Sequence, residues 1–198
     1  MTRTPTFMTR RSLLGGGAAF AALSAFLGRE AAAATAAVQP YVLPEQWRRA
    51  DVKIQGGYEV GAIYVFSDYF FLYYVTGPET AIRYGVGVGE EGRQFKGTAT
   101  IQRKVEWPSW TPTANMIRRR PDLYLEHAAG MPGGPNNPLG ARAMYLYRGG
   151  RDTMYRIHGT PAPQSVGQAI SNGCIRMVNP HVEELYEMVP IGTRVHVA

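Results

Sequence analysis

The sequence predicts a mainly β domain, a sandwich or barrel of short strands with one well-marked helix close to its C-terminal end. Two patterns carry that prediction: runs rich in aromatic and β-branched residues separated by turn residues, and a single stretch with helical spacing of apolar residues. Composition agrees. The 198 residues are 45% hydrophobic and 18% charged, which supplies a core, and 23 Gly with 14 Pro is too little for a collagenous or low-complexity chain. That length fits one domain or at most two and excludes a large multidomain enzyme. A single Cys excludes an intramolecular disulfide, and four scattered His offer no structural metal cage, so the core must carry stability.

Residues 1–37 read as an address rather than as part of the fold. Thr9-Arg10-Arg11-Ser12-Leu13-Leu14 leads into apolar and small residues as far as Leu27, and residues 31–37 offer A-x-A cleavage choices. Adjacent arginines ahead of a weakly hydrophobic, Gly-rich segment make this a twin-arginine-like export signal. The apolar segment 13–27 is shorter than the roughly 20 residues that span a bilayer, so cleavage is expected and no membrane span afterwards. Residues 38–54 follow as a linker or N-terminal extension, and 55–198 as the folded domain. Removing residues 1–37 takes away Arg3, Arg10, Arg11, Arg29 and Glu30, which lowers the formal charge from +6 to +3. Without a basic helix or zinc-finger spacing, nucleic acid is not an expected partner. Arg118-Arg119-Arg120 is the one basic run; it reads as a solvated face beside Pro121, with a phosphate site or a polyanionic envelope polymer as alternatives.

The strands follow in order. Residues 62–75, AIYVFSDYFFLYYV, are broken at Ser67-Asp68, which predicts a hairpin rather than a membrane span. Further strands are expected at 80–88, 97–107, 141–147 and 153–158. Residues 107–140 are long and Pro/Gly-rich, which in a compact domain suits a lid over a site, with Trp107, Trp110 and Tyr124 available to line it. Asn179-Pro180 reads as an N-cap followed by proline at the first helical position, and Val182, Leu185, Tyr186 and Val189 keep one buried face. Pro190 and Gly192 end that helix, and residues 193–197 return as a last strand.

Two motifs fail on their context. Gly87-Val88-Gly89-Glu90-Glu91-Gly92 fits G-x-G-x-x-G, but no helix follows and two carboxylates would face a pyrophosphate, so the segment reads as turn chemistry. His181 with Glu183 and Glu184 is not H-E-x-x-H; the acids are expected in the first helical turn, and no metal is assigned. Absence of G-x-S-x-G leaves a serine-hydrolase elbow unsupported.

The chemistry is expected in the last third. The strand Tyr155-Arg156-Ile157 delivers His158-Gly159-Thr160, and sixteen positions after that His comes Cys174, in Ser171-Asn172-Gly173-Cys174-Ile175-Arg176-Met177. A lone Cys in an exported chain can be a small buried hydrophobe, but Ser-Asn-Gly before it is turn sequence and poor core sequence. Cys174 is therefore the candidate nucleophile, His158 its candidate general base and acid, and amides around Gly173 and Cys174 a candidate oxyanion hole.

At these residues the sequence resembles the L,D-transpeptidase catalytic domain, the YkuD family, whose motif is a His-Gly followed by a Ser/Thr-x-Gly-Cys-x-Arg block. The resemblance extends to the hairpin-rich first half, Trp110-Thr111-Pro112, the YRIHGT strand and the helix and strand that follow, about residues 55–198. It implies a mixed β-sandwich with a helix packed on the sheet after the nucleophile. It implies also that Cys174 attacks a peptidoglycan stem peptide with His158 as base, and that no cofactor is needed. Asn172 stands where relatives often have His, leaving hydrogen bonding to the turn. Arg176 matches the family's Arg, whose guanidinium can pair with a carboxylate of substrate or protein, and Gly159, Thr160 and Ser171 fall in the implied substrate-binding set. The implied reaction expels the terminal D-Ala after the third stem residue, leaves a thioester, and passes it to a neighbouring stem amine to give a 3-3 crosslink. Peptidoglycan stem peptides are thus the expected donor and acceptor, in the periplasm. Water as acceptor would make a carboxypeptidase, and a protein amine an anchor of envelope proteins. A noncatalytic peptidoglycan-binding module is the alternative of another class.

Overall fold

The computed structural model describes residues 41–198. The expected export signal lies outside them. Eleven strands form one nine-stranded sheet and one two-stranded sheet among the described residues. In chain order the strands are β1 (Ala50–Lys53), β2 (Ile63–Phe66), β3 (Phe71–Gly77), β4 (Thr80–Gly85), β5 (Val88–Gly89), β6 (Gly97–Glu106), β7 (Arg142–Arg148), β8 (Arg151–His158), β9 (Ala169–Ser171), β10 (Ile175–Arg176) and β11 (Arg194–Val197). The helices are α1 (Ala114–Arg119), α2 (Pro121–Tyr124) and α3 (Asn179–Met188).

The large sheet is mixed, in the order β1-β4-β3-β2-β11-β6-β7-β8-β10. The hairpin read from residues 62–75 is β2 against β3, antiparallel, with Ser67–Tyr69 as a 3-10 turn between them. Alternation explains its faces: Ile63 and Val65 are buried, whereas Tyr64 and Phe66 lie on the outer face. Residues 50–53, within the expected linker or extension, pair with β4 as an edge strand. The last strand, β11, runs in the middle, parallel to β2 and antiparallel to β6.

The sheet curls until its two ends meet. Gly87, just past β4, exchanges hydrogen bonds of 2.8 Å in both directions with Arg176 of β10. Close backbone approach there requires glycine, since a Cβ on Gly87 would stand 2.4 Å from the Ser165 carbonyl oxygen. Beside the junction, β5 pairs in parallel with β9. One core cluster fills the interior, from Leu72 and Tyr84 in the first half to Leu146, Ile157, Ile175 and Met177 in the second.

Helix α3 packs on β7. Val182, Leu185 and Val189 are fully buried, each worth about 1.5–3 kcal/mol of apolar burial. Its C-terminal carbonyls are satisfied by Lys104 of β6, whose Nζ donates to Tyr186 and, at 2.8 Å, to Val189 while lying over the Tyr186 ring. Two expectations about this helix are corrected. Asn179 does not cap it: Val178 occupies the cap position, and Asn179 Oδ1 accepts the Ala141 amide at 3.1 Å, so tertiary bracing of β7 outcompetes local capping. The first turn carries no acid; Glu184 pairs instead with Arg49 at 3.2 Å.

Residues 107–140 hold more regular structure than a Pro/Gly-rich loop suggests. Thr113 caps α1 by accepting the Met116 amide at 3.2 Å, and Pro121 opens α2. Buried Asn137 ties the far end, donating to the Met131 and Pro132 carbonyls and accepting the Leu139 amide.

Candidate active site

Strands β8 and β10 bring the expected pair onto one surface. They run parallel with Ile157 opposite Ile175 and His158 opposite Arg176. Ile157 and Ile175 are buried in the core, so alternation sends His158 and Arg176, and with them Arg156 and Cys174, to the other face. Cys174, His158, Arg176, Ser171 and Asn172 accordingly border one small cavity, roofed by Trp110, Met116 and Tyr124 of the 107–140 segment. That cavity adjoins a wider cleft of about 550 Å3, which also reaches Cys174 and Asn172.

The nucleophile turn is braced from below. Ser171 Oγ donates to the Cys174 carbonyl at 2.6 Å and accepts the Gly173 amide at 3.1 Å. The Gly173 amide is therefore engaged within the turn, which leaves the Cys174 amide as the candidate oxyanion donor of that pair. Gly173 itself has a φ of 129°, and a Cβ there would meet the Tyr155 ring at 2.3 Å. Gly89 presses on the turn from the other side, where a Cβ would lie 2.7 Å from Gly173 Cα. The G-x-G-x-x-G segment thus forms β5 and a turn that backs the nucleophile, without a helix to receive a dinucleotide.

Cys174 is half-buried, with Sγ 4.0 Å from the Met154 carbonyl. Burial pushes its thiol pKa up, while the Arg156 backbone and the charges of Arg156 and Arg176 oppose that rise. Burial first, then the charge of Arg176, lowers the His158 pKa from 6.5 to about 3, although the Gly159 and Leu139 carbonyls favour the charged ring. The imidazole is neutral at pH 7. Its Nδ1 lies 2.6 Å from the Gly159 carbonyl oxygen, which can only accept, so Nδ1 carries the proton and Nε2 the lone pair. Both side chains rest uncharged at pH 7.

Around them the expected residues divide. Arg176 is paired with no carboxylate among the described residues, and its buried Nε lacks a partner. Asn172 bridges turn and cap: Arg119 of α1 donates to its Oδ1 at 3.1 Å, and its Nδ2 donates to the Tyr124 hydroxyl of α2 at 3.1 Å. Gly159 and Thr160 do not border the cleft. A Cβ on Gly159 would stand 2.3 Å from Asn179 Oδ1, and Thr160 Oγ1 accepts the Ala162 amide at 3.1 Å. Trp107 also stays outside it, exposed and with a φ of 41°, whereas Trp110 and Tyr124 line it as expected. Sequence reasoning missed Arg119, Met116 and Leu139 as wall residues. Only the Arg118-Arg119-Arg120 run drew notice, with no sign of which member turns inward.

Comparison with known proteins gives one consistent assignment. The YkuD family, described as the L,D-transpeptidase catalytic domain, matches residues 61–197. Two Escherichia coli K12 proteins, named Probable L,D-transpeptidase ErfK/SrfK and YbiS, are each 38% identical, over 63% and 62% of this chain. The chain spans only 39% of the length of either relative. A solved structure from Brucella melitensis, named a probable carnitine operon oxidoreductase, is 49% identical with a TM-score of 0.54, covering 75% of this chain and 91% of that one. The Ldtfm-avibactam carbamoyl enzyme, 20% identical with a TM-score of 0.52, covers 71% of this chain and 49% of that one and shares the fold. With its family match running from the first hairpin through β11 and taking in both His158 and Cys174, the chain belongs to the YkuD family of L,D-transpeptidase catalytic domains.

Proposed function

We propose that this domain is a peptidoglycan L,D-transpeptidase acting in the periplasm after export. The observation that carries the reading is the neutral pair on one face of β8 and β10: a half-buried thiol and a neutral imidazole whose Nδ1 is held by the Gly159 carbonyl, which puts the lone pair on Nε2. Cys174 Sγ attacks the carbonyl of the third stem residue as His158 Nε2 takes the thiol proton. Collapse of the tetrahedral adduct breaks the bond to the terminal D-Ala, whose amine leaves with that proton, and a thioester remains. An acceptor amine then attacks the thioester, its proton passes to His158, and Sγ departs to regain it. Arg176, positive beside the thiol, favours negative charge as it develops. The redox chemistry in the Brucella relative's name finds no counterpart in residues 87–92, which form a strand and turn.

Intact mass measured after incubation with disaccharide-tetrapeptide tests this reading. The expected result is a thioester on Cys174 and crosslinked dimers, neither of which Cys174→Ala gives. Trimmed monomers alone would assign a carboxypeptidase, and transfer only to an added protein amine an anchoring enzyme. No adduct on wild-type protein would overturn acyl transfer and leave a noncatalytic binding module.

A further inference from the structure

The arginine run at 118–120 is unused by the catalytic reading, and the fold takes it apart. Arg118 bonds the Asn115 carboxamide, Arg120 is held by Asp122 at 2.7 Å, and Arg119 alone turns to the cleft and Asn172. The cleft over Cys174 is walled by Arg93, Arg103, Arg119 and Arg156, and by no Asp or Glu. Two of these four are neutralised, Arg93 by Glu90 and Arg156 by a two-point pairing with Asp152. Arg103 and Arg119 meet no carboxylate within 4.0 Å among the described residues.

Strand register places Arg103 relative to the nucleophile. Arg103 of β6 stands opposite Tyr145 of β7, which stands opposite Arg156 of β8. Cys174 comes next, one step ahead of the Ile157 and Ile175 pair. The Tyr145 ring holds both neighbouring guanidiniums, Arg103 at 4.5 Å and Arg156 at 4.4 Å from its centroid, which restricts the long Arg103 side chain. Three strand spacings separate Arg103 from Cys174, about 14 Å at ~4.8 Å each. An extended peptide covers that distance in roughly four residues, fewer once the arginine's reach is counted.

A wall of one sign with two guanidiniums that meet no carboxylate is completed by a ligand that brings the missing carboxylates. We infer that the cleft selects acidic acyl-donor peptides carrying two free carboxylates, one beside the scissile bond held by Arg119 and one roughly three residues away held by Arg103. The inference rests on the acyl-transfer reading and names the donor's chemistry. Arg119 and Arg103 are specificity residues: they bind and orient, and the reacting atoms belong to Cys174 and His158. Amidation of a donor carboxylate removes its charge, so KM rises while kcat stays near its original value.

The test is acylation and turnover with two disaccharide-tetrapeptide donors, one with free carboxylates and one amidated away from the scissile bond, on wild type, Arg103→Gln and Arg119→Gln. For the wild type, amidation should raise KM about tenfold, the usual effect of losing one charge-assisted bond. Arg103→Gln should raise KM for the free donor by a similar factor and no longer distinguish the two donors. Arg119→Gln should raise KM for both, and Arg119→Lys should recover part of the loss, since the charge returns without the fork. Arg103 is exposed on its strand, so its variant keeps the fold. Full discrimination by Arg103→Gln, or equal KM for both donors on wild type, would overturn the selection while leaving acyl transfer intact. Failure of either donor to acylate wild-type Cys174 would overturn both.

Discussion

The neutral state of His158 has a consequence for stability that can be measured without substrate. In the unfolded chain the ring takes up a proton as pH falls through 6.5, its ordinary value; in the native state it resists until about 3. Between those values the unfolded state binds the extra proton, so stability falls as pH falls, by up to about 1.4 kcal/mol for each pH unit. From pH 6.5 to 5, before most carboxylates titrate, the loss attributable to this ring is about 2 kcal/mol. His181, also lowered by burial, adds to the total slope, so the measurement must be a difference. His158→Asn serves: its amide can still donate to the Gly159 carbonyl, and it does not titrate. Urea unfolding at pH 7, 6 and 5 should give a wild-type stability that falls more steeply than the variant's, the gap changing by about 2 kcal/mol over that window. Parallel slopes would mean that the native ring protonates like a free imidazole. The neutral-base account of the site would then be wrong.

Three further perturbations follow from contacts already described. Gly89→Ala puts a Cβ 2.7 Å from Gly173 Cα and should displace the nucleophile turn, cutting Cys174 acylation by at least about tenfold as read by intact mass. Asn137→Ala strands the Pro132 carbonyl and the Leu139 amide, while the Met131 carbonyl keeps the Trp110 amide; a loss of about 2 kcal/mol is expected in urea unfolding, and a value near zero would show that the 130–140 segment does not depend on it. Alkylation of Cys174 should still be accelerating above pH 9, because burial raises the thiol, and Arg156→Gln should move the midpoint higher by removing a charge that favours the thiolate.

The parts of this molecule that were legible in the sequence are those set by local alternation or local spacing. The 62–75 hairpin, β6, β7 and β8 are strands because their β-branched and aromatic residues have no helical period, and Val182, Leu185 and Val189 mark α3 by theirs. His158 and Cys174 were legible as a pair because a lone thiol in turn sequence follows a strand-end His; that they share a face depends on parallel register, which no local pattern reports. The failures have a common physical origin in long-range partners. Asn179 looks like a helix cap until Ala141, 38 residues earlier, competes for its carboxamide. Ser171 borders the cavity as expected of its position, but the bracing of Gly173 and Cys174 by its hydroxyl has no local signal in the sequence. α1 and α2 were hidden by prolines at 112 and 121 that flank them rather than break them.

The central position of β11 sets an order of assembly. Four residues near the end of the chain supply the strand on which β2 and β6 both pair, with Val195 aligned to Ile63 on one side and Ala99 on the other. Until residues 194–197 arrive, β2 and β6 each present an unpaired edge, and among the described residues the two halves of the sheet are joined only through the Gly87–Arg176 junction and the β5-β9 pair. The contacts that β11 makes with both halves span about a hundred residues or more, so loop-closure entropy makes this a late and slow event. Aggregation should concentrate in the interval before β11 docks, while the facing edges of β2 and β6 are unpaired.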